Sequence, residues 1–484
     1  MQWDNDLNSI QEARNLARAA KEAHDAFAGM SEQAIDKILV AMVDTVKENA
    51  ERLAKMAVEE TGYGVVAHKV IKNLFASRDV YQAIRSIKTV GILRDDKMAK
   101  VIEAAVPVGV ILALTPTTNP TSTIIHNTMC AIKAGNAIVF SPHPNAIKCS
   151  NETARLLHDA AVGAGAPRGI ISCVGNATME ATNELMRHEN ISVIIATGGS
   201  AMVKAAYSAG KPALGVGPGN VPAFIERTAD IRQAVKDILT SKTFDNGMIC
   251  ASEQAIIADA PVQEAVVSEL KQQGAYFLAS DEIDKVTRVV MTPRGGMNAS
   301  MVGKSAAYIA EKAGVAVPAN TRILIARLEG FGPGQLLSYE KLTCVLGFYV
   351  VKDWHEACLL SIELLKLGGI GHSFSIHSRD ESVIKEFIQK PVFRILVNTP
   401  SAFGGIGYST GLLPSLTLGC GTWGGSSISE NLGPQHLINI KRLAYGTKPV
   451  DLAPVKTTMQ AGEMSFSPDA IAGVVRQVLK EMQK

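Results

Sequence analysis

Strand and helix patterns alternate through the first half of the chain, and this alternation restricts the fold more than any other feature of the sequence. Extended apolar runs and helical patterns occupy, in turn, residues 100–114, 123–134, 137–140, 151–164, 170–174, 193–196 and 201–209. Consecutive strands joined by helices lie parallel, because right-handed crossovers connect them. The sequence therefore predicts a parallel α/β sheet, and ligands bind such sheets beyond the carboxyl ends of the strands.

The alternation resumes after residue 250 and predicts a second α/β domain. Its strand and helix patterns cover residues 255–257, 263–273, 322–325, 345–350, 354–367 and 394–397. A chain of 484 residues is also too long for one typical core, so two or three domains are expected. Residues 6–60 and 66–87 show helical periodicity, and we interpret them as packing surface without chemistry.

Composition excludes several classes of function. A net charge of +2 and an aromatic content of 5% do not favour nucleic-acid binding. Seven cysteines without a C-x-x-C pair, and no H-E-x-x-H segment, indicate neither a disulfide framework nor a metal site. The longest apolar stretch, residues 104–114, is interrupted by Pro107 and Gly109 and is too short to span a membrane. The polar N-terminus is not a signal peptide, so we expect a cytoplasmic protein.

One cysteine, Cys250, follows a strong turn signal. Asp245, Asn246 and Gly247 precede it, and Asn and Gly tolerate positive φ. A thiol placed just after a turn can face a cleft while nearby backbone N–H groups stay available to an oxyanion. The competing interpretation is a cysteine that only packs, since free cysteines are commonly buried.

Other polar or glycine-rich segments are candidate ligand contacts, and each has a plain structural alternative. Asn119 lies in a hydroxyl-rich turn, and the turn at 197–200 offers helix N-terminal amides without the dinucleotide-binding spacing. The glycines of 215–220 are expected in a bend. By position alone Glu340 is more commonly a surface carboxylate, and a lone histidine such as His372, in a glycine-punctuated run, is more often structural.

Taken together, these motifs resemble the coenzyme A-acylating aldehyde dehydrogenases over residues 5–450. The resemblance rests on TPTTNPTS (115–122), FSPHP (140–144), ATGG (196–199), KTFDNGMICASEQ (242–254), GGIGH (368–372) and LGCGTWGG (418–425). It implies an aldehyde dehydrogenase fold with two Rossmann-like parallel-sheet domains and a small β oligomerisation flap. We accordingly expect an NAD-binding domain over 1–220, with part of the flap near 95–112. We expect a catalytic domain over 221–410. Residues 411–450 are expected to return to the first domain and the flap.

The resemblance also implies roles for individual residues. Cys250 matches the thiol that attacks the aldehyde, and Asn119, with the Cys250 N–H, matches the oxyanion donors. Glu340 matches the carboxylate that binds the nicotinamide ribose. The remaining expected cofactor contacts are Thr117, Ser141, Pro142, His143, Gly198, Gly199, Gly215 and His372.

One difference between this sequence and the hydrolytic aldehyde dehydrogenases predicts which molecule accepts the acyl group. Those enzymes carry a glutamate base where this chain has Gly215, so water near the thioester lacks an activator. A thiol with a pKa of about 8.5 is partly ionised and needs no base. We therefore expect NAD⁺ and coenzyme A as co-substrates of a short-chain aldehyde, acetaldehyde or propionaldehyde. The alternatives are a small polar aldehyde such as sulfoacetaldehyde, a hydrolytic enzyme, or a catalytically silent protein with the same fold.

The C-terminal segment changes character. Residues 451–466 lack periodicity and are interpreted as a linker. Ser467 and Pro468 form a helix start, and the apolar residues that follow fall on one helical face: Ile471, Val474, Val475, Val478, Leu479 and Met482. Such a helix resembles the encapsulation peptides of bacterial microcompartments, and packing on the enzyme or its oligomer partner is the alternative. We also expect a homo-oligomer, a dimer or a tetramer.

Overall fold

The computed structural model describes residues 4–450 and 467–482. Residues 4–95 and 102–442 form one compact unit, and the described parts of 96–101 and 443–482 belong to a second. The chain begins with helices α1 (Asn5–Phe27), α2 (Glu32–Thr61), α3 (Val66–Leu74) and α4 (Val80–Ile84) and strands β1 (Gly91–Asp96) and β2 (Val101–Pro107). A π-helical turn, Phe75–Asp79, joins α3 to α4, so the helix expected over 66–87 ends three residues early and is not regular.

The first predicted parallel sheet is confirmed. Its strands and the helices between them are β3 (Val110–Thr115), α5 (Pro120–Lys133), β4 (Ala137–Pro142), α6 (Ile147–Gly163), β5 (Ile171–Cys173), α7 (Met179–Arg187), β6 (Ile191–Thr197), α8 (Ser200–Tyr207) and β7 (Ala213–Val216). The strand order is β5-β4-β3-β6-β7, and all neighbouring strands are parallel. The apolar residues of β3, β4 and β6 are buried on both faces, which explains their continuous hydrophobic runs.

The second sheet is larger than the sequence indicates. Its elements are β8 (Val221–Ile225), α9 (Ile231–Thr243), β9 (Glu253–Asp259), α10 (Gln263–Gln272), β10 (Ala275–Phe277), α11 (Ser280–Val290), α12 (Ala306–Ala313), β11 (Ile323–Arg327), β12 (Val345–Val351), α13 (Trp354–Lys366), β13 (Gly371–His377), α14 (Glu381–Glu386), β14 (Val392–Val397) and α15 (Ser401–Gly405). The parallel order is β10-β11-β12-β9-β8-β13-β14.

Two glycine-rich segments are strands where the sequence suggested irregular chain. Gly215 lies in β7 and pairs with Ala196, so the expected bend begins only after this strand. Gly371 and His372 begin β13, every residue of which is buried. In both places the hydrogen-bonded ladder of a buried sheet outweighs the local turn preference of glycine.

The last strand, β15 (Ile438–Ala444), completes a three-strand sheet in the order β1-β2-β15. Two parallel sheets and one small sheet therefore confirm the expected fold class, whereas the boundaries at residues 220, 410 and 450 remain predictions. Within the described ranges, no helix is long and apolar enough to cross a membrane.

The final helix, α16 (Pro468–Glu481), forms where the sequence predicts it, and the side chain of Ser467 accepts a hydrogen bond from the Ala470 N–H. No described residue of α16 is buried. The predicted linker, residues 451–466, lies outside the described part of the chain.

Candidate active site

Cys250 follows three consecutive residues in the left-handed region, as the turn signal predicts. Asp245, Asn246 and Gly247 have φ values of 50°, 54° and 78°. A Cβ atom on Gly247 would stand 2.9 Å from the carbonyl oxygen of Thr343, so glycine is required at this close approach. The turn delivers Cys250, half-buried, to the point where strand β9 begins.

Asn119 faces the same turn. It occupies the N-cap position of α5, yet its side chain caps no backbone N–H of that helix. Instead Nδ2 donates to the carbonyl oxygen of Met248 at 3.3 Å, and Oδ1 accepts from Lys72 Nζ at 2.7 Å. Asparagine at this position commonly caps a helix, but the Asn119 side chain instead faces the turn before Cys250.

A buried ion cluster lies behind Asn119. Asp245 Oδ2 accepts from Lys72 Nζ at 2.6 Å and from Lys69 Nζ at 3.1 Å. Lys69 also donates to the carbonyl oxygen of Thr118 at 2.9 Å. The helical region expected over 66–87 thus contains buried ion pairs that its periodicity did not indicate. Two lysines three residues apart on one face of α3 were the available signal, because lysine is rarely buried unless it is paired.

Glu340 is half-buried at the cavity wall and is not a free surface carboxylate. Its Oε1 atom accepts from the Gly219 N–H at 2.9 Å. Burial raises the pKa of Glu340 to about 7, although this hydrogen bond and the charges of Lys242 and Lys341 oppose the shift. The carboxyl group therefore changes its charge near neutral pH.

A single cavity of 530 Å³ brings most of the predicted residues together. Its wall includes the candidate catalytic residues Cys250 and Asn119, and also Thr117, Ser141, Pro142, His143, Gly198, Gly199 and Glu340. Ser141 is buried and its hydroxyl lies 2.8 Å from that of Thr182, whereas His143 is exposed.

Gly215 and His372 lie outside the residues that line this cavity. A Cβ atom on Gly215 would stand 2.6 Å from Val203 Cγ1 and 2.7 Å from Tyr207 Cε2, so a larger residue has no room there. His372 is buried in β13, where Nδ1 lies 3.0 Å from the Ser373 hydroxyl. Its Nε2 atom has no hydrogen-bond partner in the described part of the chain.

The surroundings of Cys250 disfavour the thiolate form of its side chain. Burial, and next the charge of Glu340, raise its pKa to about 12, while Arg394 acts in the opposite direction. The expectation of a partly ionised thiol was therefore wrong, because it neglected desolvation and the neighbouring carboxylate. Neutralisation of Glu340 would remove one cause of the raised pKa, while burial, the larger cause, would remain.

The cavity wall offers polar groups suited to a dinucleotide. The hydroxyl oxygens of Thr115 and Thr197 are buried there without a hydrogen-bond partner among the described residues. Gly199 precedes α8, and no atom lies within 4 Å of the place that a Cβ atom would take. Uncovered amides at a helix N-terminus bind phosphate groups. These residues therefore fit ribose and pyrophosphate oxygens.

Comparison with known proteins identifies the family of this chain. A profile of the aldehyde dehydrogenase family matches residues 6–293. This chain belongs to the aldehyde dehydrogenase family. The resemblance seen in the sequence motifs is thereby confirmed.

Three similar proteins have names that are more specific than that of the family. The bifunctional aldehyde-alcohol dehydrogenase AdhE of Escherichia coli K12 is 44% identical over 444 residues, which are 90% of this chain and 50% of that protein. An acetylating aldehyde dehydrogenase from Geobacillus thermoglucosidasius is 51% identical, with a TM-score of 0.91, and covers 93% of this chain and 100% of its own. A Rhodopseudomonas palustris propionaldehyde dehydrogenase with bound CoA and an acylated cysteine is 29% identical, with a TM-score of 0.80, covering 90% and 97%.

The chain spans about half the length of the curated relatives that it matches first. The family fold is shared over 93% of this chain, as the structural similarity to the acetylating enzyme demonstrates. Two buried residues are neighbours of Cys250: Cys420, which lies in the LGCGTWGG motif, and Arg394, which sequence reasoning did not place at the site. Arg394 donates to the Gly419 carbonyl at 2.6 Å and lowers the pKa of both thiols.

Proposed function

We propose that this chain oxidises a short-chain aldehyde, with NAD⁺ and coenzyme A, to an acyl-CoA through a thioester on Cys250. The observation that carries the proposal is the arrangement of Cys250 and Asn119 on one cavity wall, with the Asn119 amide hydrogen-bonded to the turn that holds the cysteine. A nucleophile and an oxyanion donor on the same wall suit attack on a carbonyl carbon.

In the first half-reaction, the Cys250 thiol releases its proton to solvent and its sulfur bonds to the aldehyde carbon. The carbonyl oxygen becomes an oxyanion, and Asn119 Nδ2 and the Cys250 N–H donate to it. When bound, the nicotinamide cofactor would supply the acceptor for the hydride that this carbon loses. Cys250 then carries the acyl group as a thioester.

In the second half-reaction, the thiolate of coenzyme A bonds to the acyl carbon and the Cys250 sulfur leaves. Two features support coenzyme A over water as the acceptor. The position of the hydrolytic base is Gly215, and the space around it is filled by Val203 and Tyr207. The Rhodopseudomonas relative holds CoA and an acylated cysteine.

The residues that would hold the nicotinamide cofactor are those of the cavity wall. Glu340 would bind the ribose, and the Gly198–Gly199 turn, with Ser141 and His143, would contact the adenosine and pyrophosphate. The preference for NAD⁺ over NADP⁺ rests on the family resemblance alone. Residues 1–220 would then form the cofactor domain, 221–410 the catalytic domain, and 411–450 the return to the first domain and flap.

The same resemblance supports two proposals about assembly. The three-strand sheet would join copies of the chain into a dimer or a tetramer. Helix α16, with its exposed apolar face, would bind a shell or cargo protein, so that the cytoplasmic enzyme works inside a bacterial microcompartment.

The deciding experiment measures NADH and acyl-CoA formation from acetaldehyde, propionaldehyde and sulfoacetaldehyde, with and without coenzyme A. We expect sustained turnover only with coenzyme A, and without it at most one NADH for each Cys250. Sustained NADH and free acid without coenzyme A would establish the hydrolytic alternative. Absence of any NADH would favour the catalytically silent alternative.

A further inference from the structure

We propose that Lys72 is a positioning residue that orients and polarises the Asn119 amide as an oxyanion donor. This inference rests on the proposed function and extends it to the buried ion cluster defined by Lys69, Lys72 and Asp245. The two lysines come from α3, and Asp245 comes from the turn before Cys250. The cluster therefore connects the oxyanion amide to the nucleophile turn.

The contact with Lys72 determines which way the Asn119 amide points. A lysine ammonium group only donates hydrogen bonds, so the amide atom 2.7 Å from Lys72 Nζ must be the oxygen. The NH₂ end then faces the opposite side, where it lies 3.3 Å from the Met248 carbonyl oxygen. The contact with Lys72 is the shortest of the hydrogen bonds that hold the amide in this orientation, so its loss removes the strongest of these restraints.

The cluster also carries an excess positive charge next to this amide. Its side chains are nearly inaccessible, with exposures of 3% for Lys69, 2% for Lys72 and 0% for Asp245. Two cations and one carboxylate leave one net positive charge. Burial lowers the pKa of Lys72 to about 8, so Lys72 remains mainly cationic at pH 7. A cationic donor on an amide oxygen strengthens the hydrogen bonds that the amide NH₂ group donates.

Asp245 fixes the cluster to the backbone of the turn. Its Oδ1 atom accepts from the Val65 N–H at 2.7 Å, and its own N–H donates to His68 Nδ1 at 2.8 Å. Removal of Lys72 alone leaves Lys69 paired with Asp245, so no unpaired charge stays buried. Lys72→Met is therefore a mild probe, because methionine keeps an unbranched apolar stem and removes only the ammonium group.

The experiment compares steady-state acyl-CoA formation by wild type, Lys72→Met, Asn119→Ala and the double variant. Loss of one oxyanion donor lowers kcat by roughly 10²–10³. We expect about a 10- to 100-fold fall in kcat for Lys72→Met with an unchanged Kd for NAD⁺, since the amide remains but is misplaced. Added to Asn119→Ala, the same change should lower kcat by less than about threefold, because Lys72 acts through Asn119.

Two matched lysine variants separate the hydrogen bond from charge and from stability. Lys69→Met removes the same charge but keeps the Lys72–Asn119 contact, so its kcat should fall less than that of Lys72→Met. Lys133, at the far end of α5, is equally buried and donates to Glu32 and to the Arg85 carbonyl. Lys133→Met should lower the melting temperature and leave kcat near wild type.

The outcomes are distinct. If wild type makes no acyl-CoA, the proposed function fails. If wild type is active and Lys72→Met keeps its kcat, or lowers it equally in the Asn119→Ala background, the positioning role of Lys72 is overturned. An equal loss in Lys69→Met would assign the effect to charge and reject the orienting hydrogen bond. Should Lys72→Met fail to fold, Lys72→Leu, which also has no hydrogen-bond donor, takes its place under the same criteria.

Discussion

Glu340 accepts a hydrogen bond from the backbone N–H of Gly219 at 2.9 Å, and Gly219 itself lies against the nucleophile turn. A Cβ atom on Gly219 would stand 2.0 Å from the carbonyl oxygen of Cys250. Gly219 therefore contacts both the Glu340 carboxylate and the backbone of Cys250. This explains why the charge of Glu340 is the second cause, after burial, of the raised Cys250 pKa.

Glu340→Gln should increase the reactivity of Cys250. Glutamine keeps an oxygen that accepts from Gly219, but it removes the negative charge that opposes the thiolate. Because the pKa of Glu340 is about 7, the carboxyl is charged above that pH and largely neutral at pH 5.5. Inactivation by iodoacetamide should accordingly be faster in the variant at pH 8–9 and equal to wild type at pH 5.5. An equal rate at pH 9 would contradict the coupling, and Glu264→Gln, on the surface of α10, serves as control.

Gly215→Glu should not create a hydrolytic enzyme. The new side chain would meet Val203 and Tyr207, and the Tyr207 hydroxyl is held by the N–H groups of Gly215 and Ser427, both at 2.9 Å. We expect a lower melting temperature and no sustained NADH formation without coenzyme A. Free acid produced by a stable variant would show that this position still admits a base.

Asp245→Asn should destabilise the protein strongly. Lys69 and Lys72 would lose their carboxylate partner and remain buried as uncompensated cations. Breaking a buried ion pair in this way costs about 3–5 kcal/mol. Denaturant unfolding followed by fluorescence measures the loss, and Glu51→Gln, which breaks the exposed pair with Lys55, should change the midpoint little. Equal effects of the two variants would contradict the electrostatic account of the cluster.

The sequence predicted the parallel sheets and nine residues of the cavity wall, including the two candidate catalytic residues, because both depend on local patterns. Continuous apolar runs mark buried strands, and the residues near Cys250, Asn119 and Glu340 form recognisable motifs. Periodicity cannot show which distant side chains share a buried ion pair, so the partnership of Lys72 with Asp245, 173 residues later, was missed. The thiol pKa was misjudged for the same reason, since desolvation depends on the tertiary surroundings of Cys250.

Cys250→Ala should abolish both NADH formation and acyl trapping while the fold persists, because only a sulfur atom is removed from a half-buried position. Mass spectrometry of the intact protein after aldehyde and NAD⁺ detects the acyl adduct. Appreciable residual turnover would indicate a second nucleophile. Cys420, a buried neighbour of Cys250, would be the next thiol to replace.

The C-terminal helix provides the last prediction. The six large apolar side chains on α16 and at its C-cap, Met482, are at least half exposed, from 50% for Val475 and Val478 to 79% for Met482. Six such side chains, at about 1.5 kcal/mol each, would contribute a gross gain of about 9 kcal/mol when a partner covers them. Ordering and association costs offset much of this gain, so a contact of moderate affinity is expected.

Deletion of residues 455–484 should therefore leave dehydrogenase activity near wild type and abolish binding to a shell or cargo partner. Val475→Glu, in the middle of the apolar face, should act like the deletion, because it would bury a carboxylate in the contact. Lys480→Glu, off that face, is the matched control and should weaken binding much less. Pull-down with shell protein, together with size-exclusion chromatography and thermal melting, distinguishes binding to a shell or cargo partner from packing on the enzyme itself. A broken oligomer, or a melting temperature lowered by several degrees in Val475→Glu alone, would assign the helix to the enzyme's own packing.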